Sequence, residues 1–326
     1  MALVEKIRLS LGTAIQLGLK GGTMDACFTT AFLMTYKDGK CRANCAFCPQ
    51  ARESTSSSDR LSRISWPEYT FNEVLDKLNT LEAFQRLCIQ SLNYPEAVED
   101  VVNMLEAIRA KTDLPVSVSI HPLDPASMIR IRDAGATSIG IAFDACTPEL
   151  FDAVKGKKRG SPYRWEKHLK ALEDALQVFG QGNVTTHLVI GLGETEKEAA
   201  DFILTMHNMG ISVGLFALTG VRGTTLEKEE PPEMSTYRRM QALRYLVYHG
   251  YVTDGNVASD SKGTLRVDLD SSLLRILLSS GEAFRTSGCV GCNRPFYNER
   301  PSGPMYNYPR PLTPEEATDA LAETGW

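Results

Sequence analysis

The chain has 326 residues, 43% of them hydrophobic and 23% charged, with a net charge of −5 and a pI near 5.7. This balance sits near globular averages and excludes wholesale disorder or a fibrous repeat, and the length suits one large α/β barrel or two ordinary domains. The acidic balance without a Lys/Arg-rich stripe argues against nucleic acid as a partner, and no apolar run approaches the roughly 20 residues of a membrane span.

The opening MALVEKIRLSLGTAIQLGLK alternates charged and apolar residues at helical spacing and lacks a small-residue cleavage site. It predicts an amphipathic helix and not a signal peptide, which places the protein in the cytoplasm. Short apolar, β-branched runs at 29–36, 86–91, 116–121, 138–142, 184–191 and 213–218 predict strands. Helical patterns lie between and after them, at 71–81, 97–111, 125–133, 165–179, 196–209 and 235–249. This alternation predicts an α/β fold, a full or partial (β/α) barrel of the TIM type, with 255–258 and 264–267 as candidate seventh and eighth strands. From Ser287 the stretch SGCVGCNRPFYNERPSGPMYNYPRPL is too rich in Pro, Gly and Asn for regular helix or strand, and predicts an irregular tail laid over the barrel. The expected division is an N-terminal segment 1–28, a barrel 29–286 and a tail 287–326.

Eight cysteines in a cytosolic chain point to free thiols and metal thiolates, not disulfides. KDGKCRANCAFCPQAR directly follows the first predicted strand. Cys41, Cys45 and Cys48, spaced by three and two residues, suit one face of an iron–sulfur cubane and leave its fourth iron open to a substrate-like ligand. Structural zinc is the competing reading, but zinc prefers two CxxC or Cys/His pairs and no His lies near this loop.

With this spacing, after a first strand and with Phe47 before the last Cys, the loop resembles the radical S-adenosylmethionine (SAM) superfamily. The resemblance implies a [4Fe–4S] cluster on Cys41, Cys45 and Cys48 that chelates SAM and cleaves it reductively to a 5′-deoxyadenosyl radical. HLVIGLGET resembles the superfamily's fifth-strand motif, which implies that Gly191, Gly193 and Glu194 form a turn beside the adenine; an ordinary strand-to-helix connection reads the same way. SLNYPEA sits where the superfamily has a GGE-like segment, so Ser91, Leu92 and Asn93 are implied to receive the SAM ammonium. Asp144 matches a ribose-holding position of biotin synthase-like enzymes, or caps the helix begun by TPELF. Lys167 and His168 fall near a basic residue that meets the SAM carboxylate, or lie on a solvated helix face.

The resemblance to biotin synthase runs through VRGTTLE and covers residues 29–227. That family holds a sacrificial [2Fe–2S] cluster on cysteines of the second, third and fifth strands and a late arginine. Only Cys88 falls at such a position here, with Ser117 and Thr185 at the other two, and hydroxyls are poor substitutes for thiolates. The chain instead carries a CxxC pair, Cys289 and Cys292, in its tail, and Cys27 before the first strand. If the two ends of the sequence meet at one mouth of the barrel, these three thiolates suit a second [4Fe–4S] cluster with a non-Cys fourth ligand. Structural zinc on the CxxC pair, and Cys27 as core, stay open; Cys146 reads as core.

A SAM cluster with an auxiliary cluster bound before and after the barrel resembles the sulfur-inserting lipoyl synthases, and the tail resembles one subunit of the two-component lipoyl synthases. That resemblance implies sulfur addition at C8 or C6 of an octanoyl chain on a lysine of a lipoyl carrier domain or peptide, with the auxiliary cluster as sulfur donor. It also implies a second lipoyl synthase subunit and an electron donor such as ferredoxin or flavodoxin. The alternatives are another radical SAM reaction such as biotin or methylornithine formation, an iron–sulfur electron carrier, and a zinc-binding structural protein.

Overall fold

The structure is a computed structural model and describes residues 4–78 and 84–326; positions 79–81, the end of the helix expected over 71–81, lie outside the described residues. The N-terminal segment departs from expectation. Its first part is a strand, β1 (Lys6–Leu9), and only Leu11–Gln16 is helical (α1), started by Ser10, whose hydroxyl accepts the Thr13 N–H at 3.3 Å. KIRL alternates at period two: Ile7 and Leu9 are fully buried, while Arg8 lies 5.2 Å from the Tyr36 ring and donates to the Trp66 carbonyl at 3.1 Å.

β2 (Thr30–Thr35) follows and is buried along its whole length. The short hairpin β3 (Arg60–Leu61) and β4 (Ile64–Ser65) leads to β5 (Glu68–Thr70) and α2 (Phe71–Leu78). Then βα units repeat: β6 (Arg86–Gln90), α3 (Ala97–Arg109), β7 (Val116–Ser119), α4 (Pro125–Asp133), β8 (Ser138–Gly140), α5 (Pro148–Val154), α6 (Trp165–Phe179), β9 (Val184–Ile190), α7 (Glu196–Asn208), β10 (Ser212–Ala217) and α8 (Met234–Tyr248). Local chemistry sets the boundaries. Asp124 caps α4 by accepting the Ser127 N–H at 2.9 Å, with Pro125 in its first turn, and Thr195 and Glu198 cap α7 reciprocally.

The sheet order is β10-β9-β8-β7-β6-β2-β1-β5: six parallel strands, with β1 and β5 antiparallel at one edge. This is a partial (β/α) barrel. The expected seventh and eighth strands are instead a separate antiparallel hairpin, β11 (Val257–Ser259) and β12 (Leu265–Val267), turned by Asp260, whose carboxylate receives the Lys262 and Thr264 N–H groups at 2.8 and 3.0 Å. Ala258, Ser259 and Arg266 are exposed, and such segments cannot bury both faces as a parallel barrel strand must. α9 (Ser271–Leu278) comes next, and α10 (Pro314–Ala322) ends the chain, capped by Thr313 and Glu316 where the sequence reading assigns no element.

One face of the parallel strands packs outward against the helices through Leu33, Leu87, Ile89, Val118 and Ile139, all essentially buried. The inward face is different: Cys88, Gln90, Ser117, Ser119, Thr185 and His187 point into the lumen. The tail, irregular over 287–307 as expected, spans the open side. On β10 the Ser287 hydroxyl receives the Leu215 N–H at 2.8 Å, and Asn298 donates to the Ala217 carbonyl at 2.8 Å. Gly288 and Gly214 touch here, and Gly288 sits at φ +115, a left-handed conformation that any other residue would adopt only with strain. At the other end of the parallel run, on the segment leading into β2, buried Asn293 accepts the Thr29 N–H at 3.1 Å and donates to the Cys27 carbonyl at 2.8 Å.

Asn293→Ala removes the partners of one buried backbone group, the Pro309 carbonyl, and of two half-buried ones, the Thr29 N–H and the Cys27 carbonyl, at about 1–3 kcal/mol for a buried group left unsatisfied and less for the others. Its expected effect is a loss of roughly 2–4 kcal/mol in urea unfolding and faster proteolytic cutting within residues 287–312. A variant with wild-type midpoint and wild-type cutting pattern would show that the bridge is dispensable.

Candidate active site with two sets of thiols

A cavity of about 550 Å3 runs through the lumen, a size suited to a cofactor with its substrate. At its upper end, where the strands stop, Cys41, Cys45, Phe47 and Cys48 line it together with Ser91, Leu92 and Asn93. The cysteine loop is tied to its surroundings through backbone groups: Arg42 N–H to the Asn93 carbonyl at 2.8 Å, Ala46 N–H to the Val154 carbonyl at 2.7 Å, and Cys41 N–H to the Gln50 carbonyl at 2.9 Å. Asn93 N–H in turn points at the Cys41 sulfur at 3.2 Å. Burial pushes the thiols up, Cys48 to about 12 with Cys41 adding to the effect, and Cys45 further still, opposed by the nearby Lys155 charge. Thiols held this way ionise when a metal takes the proton's place.

Lys155 is the buried cation of the site. Its ammonium meets the Asp144 carboxylate at 2.6 Å and the Ala142 carbonyl at 2.7 Å, with the Tyr163 ring centre at 5.2 Å. Burial works against its charge, but Asp144 and the Cys45 thiol outweigh that and raise its pKa. Asp144 sits at φ +67 and lines the cavity. It is not the cap of α5, because Thr147 fills that position and accepts the Leu150 N–H at 3.2 Å.

Other expected SAM contacts fall differently. Lys167 is exposed on α6 and outside the cavity lining, since it lies one residue off the buried stripe that carries His168. His168 does line the cavity, but its Nδ1 is turned to the Arg164 carbonyl at 2.9 Å, and burial keeps it neutral by pulling its pKa well down. It therefore offers no cation to a carboxylate. Gly191 and Gly193, at φ +102 and +116, and Glu194 stay outside the lining; the Glu194 carboxylate is occupied by the Gly191 and Leu192 N–H groups at 2.6 and 2.9 Å. Residues that the sequence reading does not single out, Lys155, His121, Tyr163, His187, Arg294 and Tyr297, complete the wall. His187 was detectable: in VTTHLVI it shares the period-two face of Thr185.

Deeper in the lumen lies a second set of thiols. Cys88 on β6 and Cys289 and Cys292 from the tail line the same cavity. Cys27, expected with the tail pair, has its backbone beside Asn293 but an exposed side chain outside the lining. The ends of the chain do meet, yet the thiol turns away. Cys146 is buried outside the lining. The upper loop suits a [4Fe–4S] cluster in its donor chemistry: three soft thiolates on one short loop facing a cavity with room for a fourth, exchangeable ligand. Among the described residues no three Cys, His, Asp or Glu side chains stand at the spacing of a single metal ion; a cubane, with one thiolate on each iron corner, holds its ligands farther apart.

Comparison with known proteins settles the family. The model of the radical SAM superfamily matches residues 39–228. The chain belongs to the radical SAM superfamily. Curated relatives of this radical SAM enzyme include the biotin synthase of Porphyromonas gingivalis, 21% identical with 68% of this chain and 64% of that protein covered. Another is the biotin synthase of Granulibacter bethesdensis, 27% identical with 65% and 66% covered. The chain thus spans less than two thirds of the length of these relatives. Among solved structures, methylornithine synthase shares the fold at a TM-score of 0.52 and 17% identity, covering 69% of this chain and 63% of that one. The hydrogenase maturase HydG from Carboxydothermus hydrogenoformans does so at 0.52 and 18%, covering 68% and 52%. No helix among the described residues is long and apolar enough to cross a membrane.

Lys155→Met leaves Asp144 charged, buried and unpaired. A loss of roughly 3–5 kcal/mol is expected in chemical denaturation, largely recovered in the Asp144→Leu/Lys155→Met double variant; equal losses for single and double variants would remove the ion pair as the cause. A second expectation concerns pH. Burial lowers His187 to about 4 and His168 also falls, whereas both take up protons near 6.5 once unfolded. The unfolded state then binds more protons below pH 6.5, so stability falls as pH drops from 6.5 toward 5, by up to about 1.4 kcal/mol per unit per histidine. A urea midpoint that is the same at pH 7 and pH 5 contradicts this, and His187→Gln should reduce the slope.

Proposed function

We propose that the chain is a sulfur-inserting radical SAM enzyme: one component of a two-subunit lipoyl synthase acting on octanoyl-lysine of a lipoyl carrier domain or peptide. The observation that carries this reading is that two sets of thiols, Cys41/Cys45/Cys48 above and a set that includes Cys289 and Cys292 below, line one cavity. An attacked carbon must lie within reach of both a radical generator and a sulfur donor, in a space that excludes water. The wall between supplies Phe32, Met34, Val189 and Phe216, a surface that suits an alkyl chain better than a polar substrate. When bound, SAM and two [4Fe–4S] clusters would supply the carbon radical and the sulfide, so that a C–H bond at C8 or C6 would be exchanged for C–S, with the hydrogen leaving in 5′-deoxyadenosine and the surplus electron passing to iron. Cys41, Cys45 and Cys48 would hold the cluster that binds SAM, and Phe47, Ser91, Leu92, Asn93, Asp144 and the neutral His168 line the cavity where SAM would lie. The reducing cytoplasm, ferredoxin or flavodoxin as electron source, and a second subunit for the other sulfur complete the proposal.

Biotin formation is the second reading, favoured by the names of the relatives. Against it, the lumen offers Ser117 and Thr185 beside Cys88 on the strands, which leaves one strand thiol where a cluster held by strand residues needs several. A methylornithine synthase-like rearrangement leaves the second set of thiols unexplained.

The test is an anaerobic assay with SAM, reduced flavodoxin and a peptide whose octanoyl-lysine is deuterated along the chain. Deuterium in 5′-deoxyadenosine and a peptide gaining one sulfur are expected, both lost in the Cys41/Cys45/Cys48→Ala variant. Deuterium appearing only with labelled dethiobiotin moves the chain to biotin formation, and none from either substrate sinks the sulfur-insertion reading for this chain alone.

A further inference from the structure

We infer that Cys88 on β6, and not Cys27, joins Cys289 and Cys292 as the third thiolate of the second cluster site. This rests on the reading that such a cluster exists, and changes its ligand set. Cys88 stands opposite Ser117 across the β6–β7 pair, and the Ser117 hydroxyl lies 3.8 Å from the Cys289 sulfur. Cys88 and Cys289 thus share one neighbour on the floor of the lumen. Cys289 and Cys292 are held together by a turn, Cys292 N–H to the Cys289 carbonyl at 3.1 Å, so a thiol close to one is close to both. Each of the three lines the cavity, while Cys27 is exposed outside it.

The surroundings fit an anionic cluster. Arg86, two residues before Cys88 on the same strand face, donates to the Val290 carbonyl between the tail cysteines and to the Ser117 hydroxyl. It clamps the CxxC turn to the strand that carries Cys88. Arg86 is buried, and its Nε has no hydrogen-bond partner among the described residues, a donor left over in a place where desolvation makes an unmet donor costly. A sulfide or thiolate is the acceptor that the neighbouring groups imply. Gln90 donates to the Cys88 sulfur at 3.0 Å from the other side. Arg294, anchored by the Ser287 carbonyl at 2.9 Å and stacked 4.0 Å from the Phe216 ring, also lines the cavity. Two guanidinium groups therefore flank three thiols. Cys27 has none of this: its neighbour Asn293 is spent on its backbone carbonyl.

The test removes the upper cluster so that only the second is read. In the Cys41/Cys45/Cys48→Ala protein, reconstituted anaerobically with iron and sulfide, about four irons per chain are expected, with the electron paramagnetic resonance signal of a reduced cubane. Adding Cys88→Ser should cut the iron at least several-fold or shift the signal, as should Cys289→Ser, whereas adding Cys27→Ser should leave iron and signal unchanged. Loss of the cluster on Cys27→Ser overturns the inference even if Cys88→Ser proves unstable. A Cys88→Ser protein that folds, judged by its melting curve, and keeps iron and signal overturns it too. In both cases a second cluster and the sulfur-insertion reading stand. No iron in the background protein defeats the second cluster itself, and the inference with it.

Discussion

Six parallel strands leave β10 and β2 apart across the lumen, and the rest of the molecule depends on what spans that gap. The tail does so through hydrogen bonds at both ends, Ser287 and Asn298 on β10 and Asn293 on the segment before β2. Two glycines let its backbone lie against β10 without a side chain between them. Because the same short segment carries Cys289 and Cys292, closing the barrel and furnishing its floor with thiols are one event.

The lumen inverts the usual logic of a barrel core. Instead of layered Val, Ile and Leu alone, its strands turn Cys, Gln, Ser, Thr and His inward beside Phe32, Met34, Val189 and Phe216, around an open cavity. Burying these groups has an electrostatic cost, which cations aimed at the thiols offset. Lys155 with Asp144 stands beside the upper loop, while Arg86 and Arg294 stand beside the lower set. The histidines of the wall are kept neutral by burial and add no charge beside the thiols.

The family model ends at residue 228, short of the tail. The part shared across the superfamily accounts for the upper thiols and the barrel, that is, for generating a carbon radical. Cys289 and Cys292 come from outside that part and pack into the lumen beside Cys88, which belongs to it.

The sequence by itself determined the barrel and its first site. Parallel strands buried on both faces and helices with one apolar stripe read at their own periods, so α4 and α6 emerge at their observed limits, and Cys41, Cys45 and Cys48 lie so close in the chain that local geometry must bring them together. KIRL misled because four residues beside a true helix carry too little periodicity to separate the two. Tertiary structure decided whatever depends on register and rotation over long separations. Lys167 lies one residue off the apolar stripe of Ala171, Leu172, Ala175 and Phe179 that also carries His168, so the helical period marks His168 as the buried one, while only the packed fold shows that this stripe reaches the cavity. Lys155 finds Asp144 from the far end of α5. Cys88 and Cys292 are about 200 residues apart, so only the pairing of β6 with β7 and the course of the tail place them together, whereas Cys27, adjacent by backbone, is turned outward.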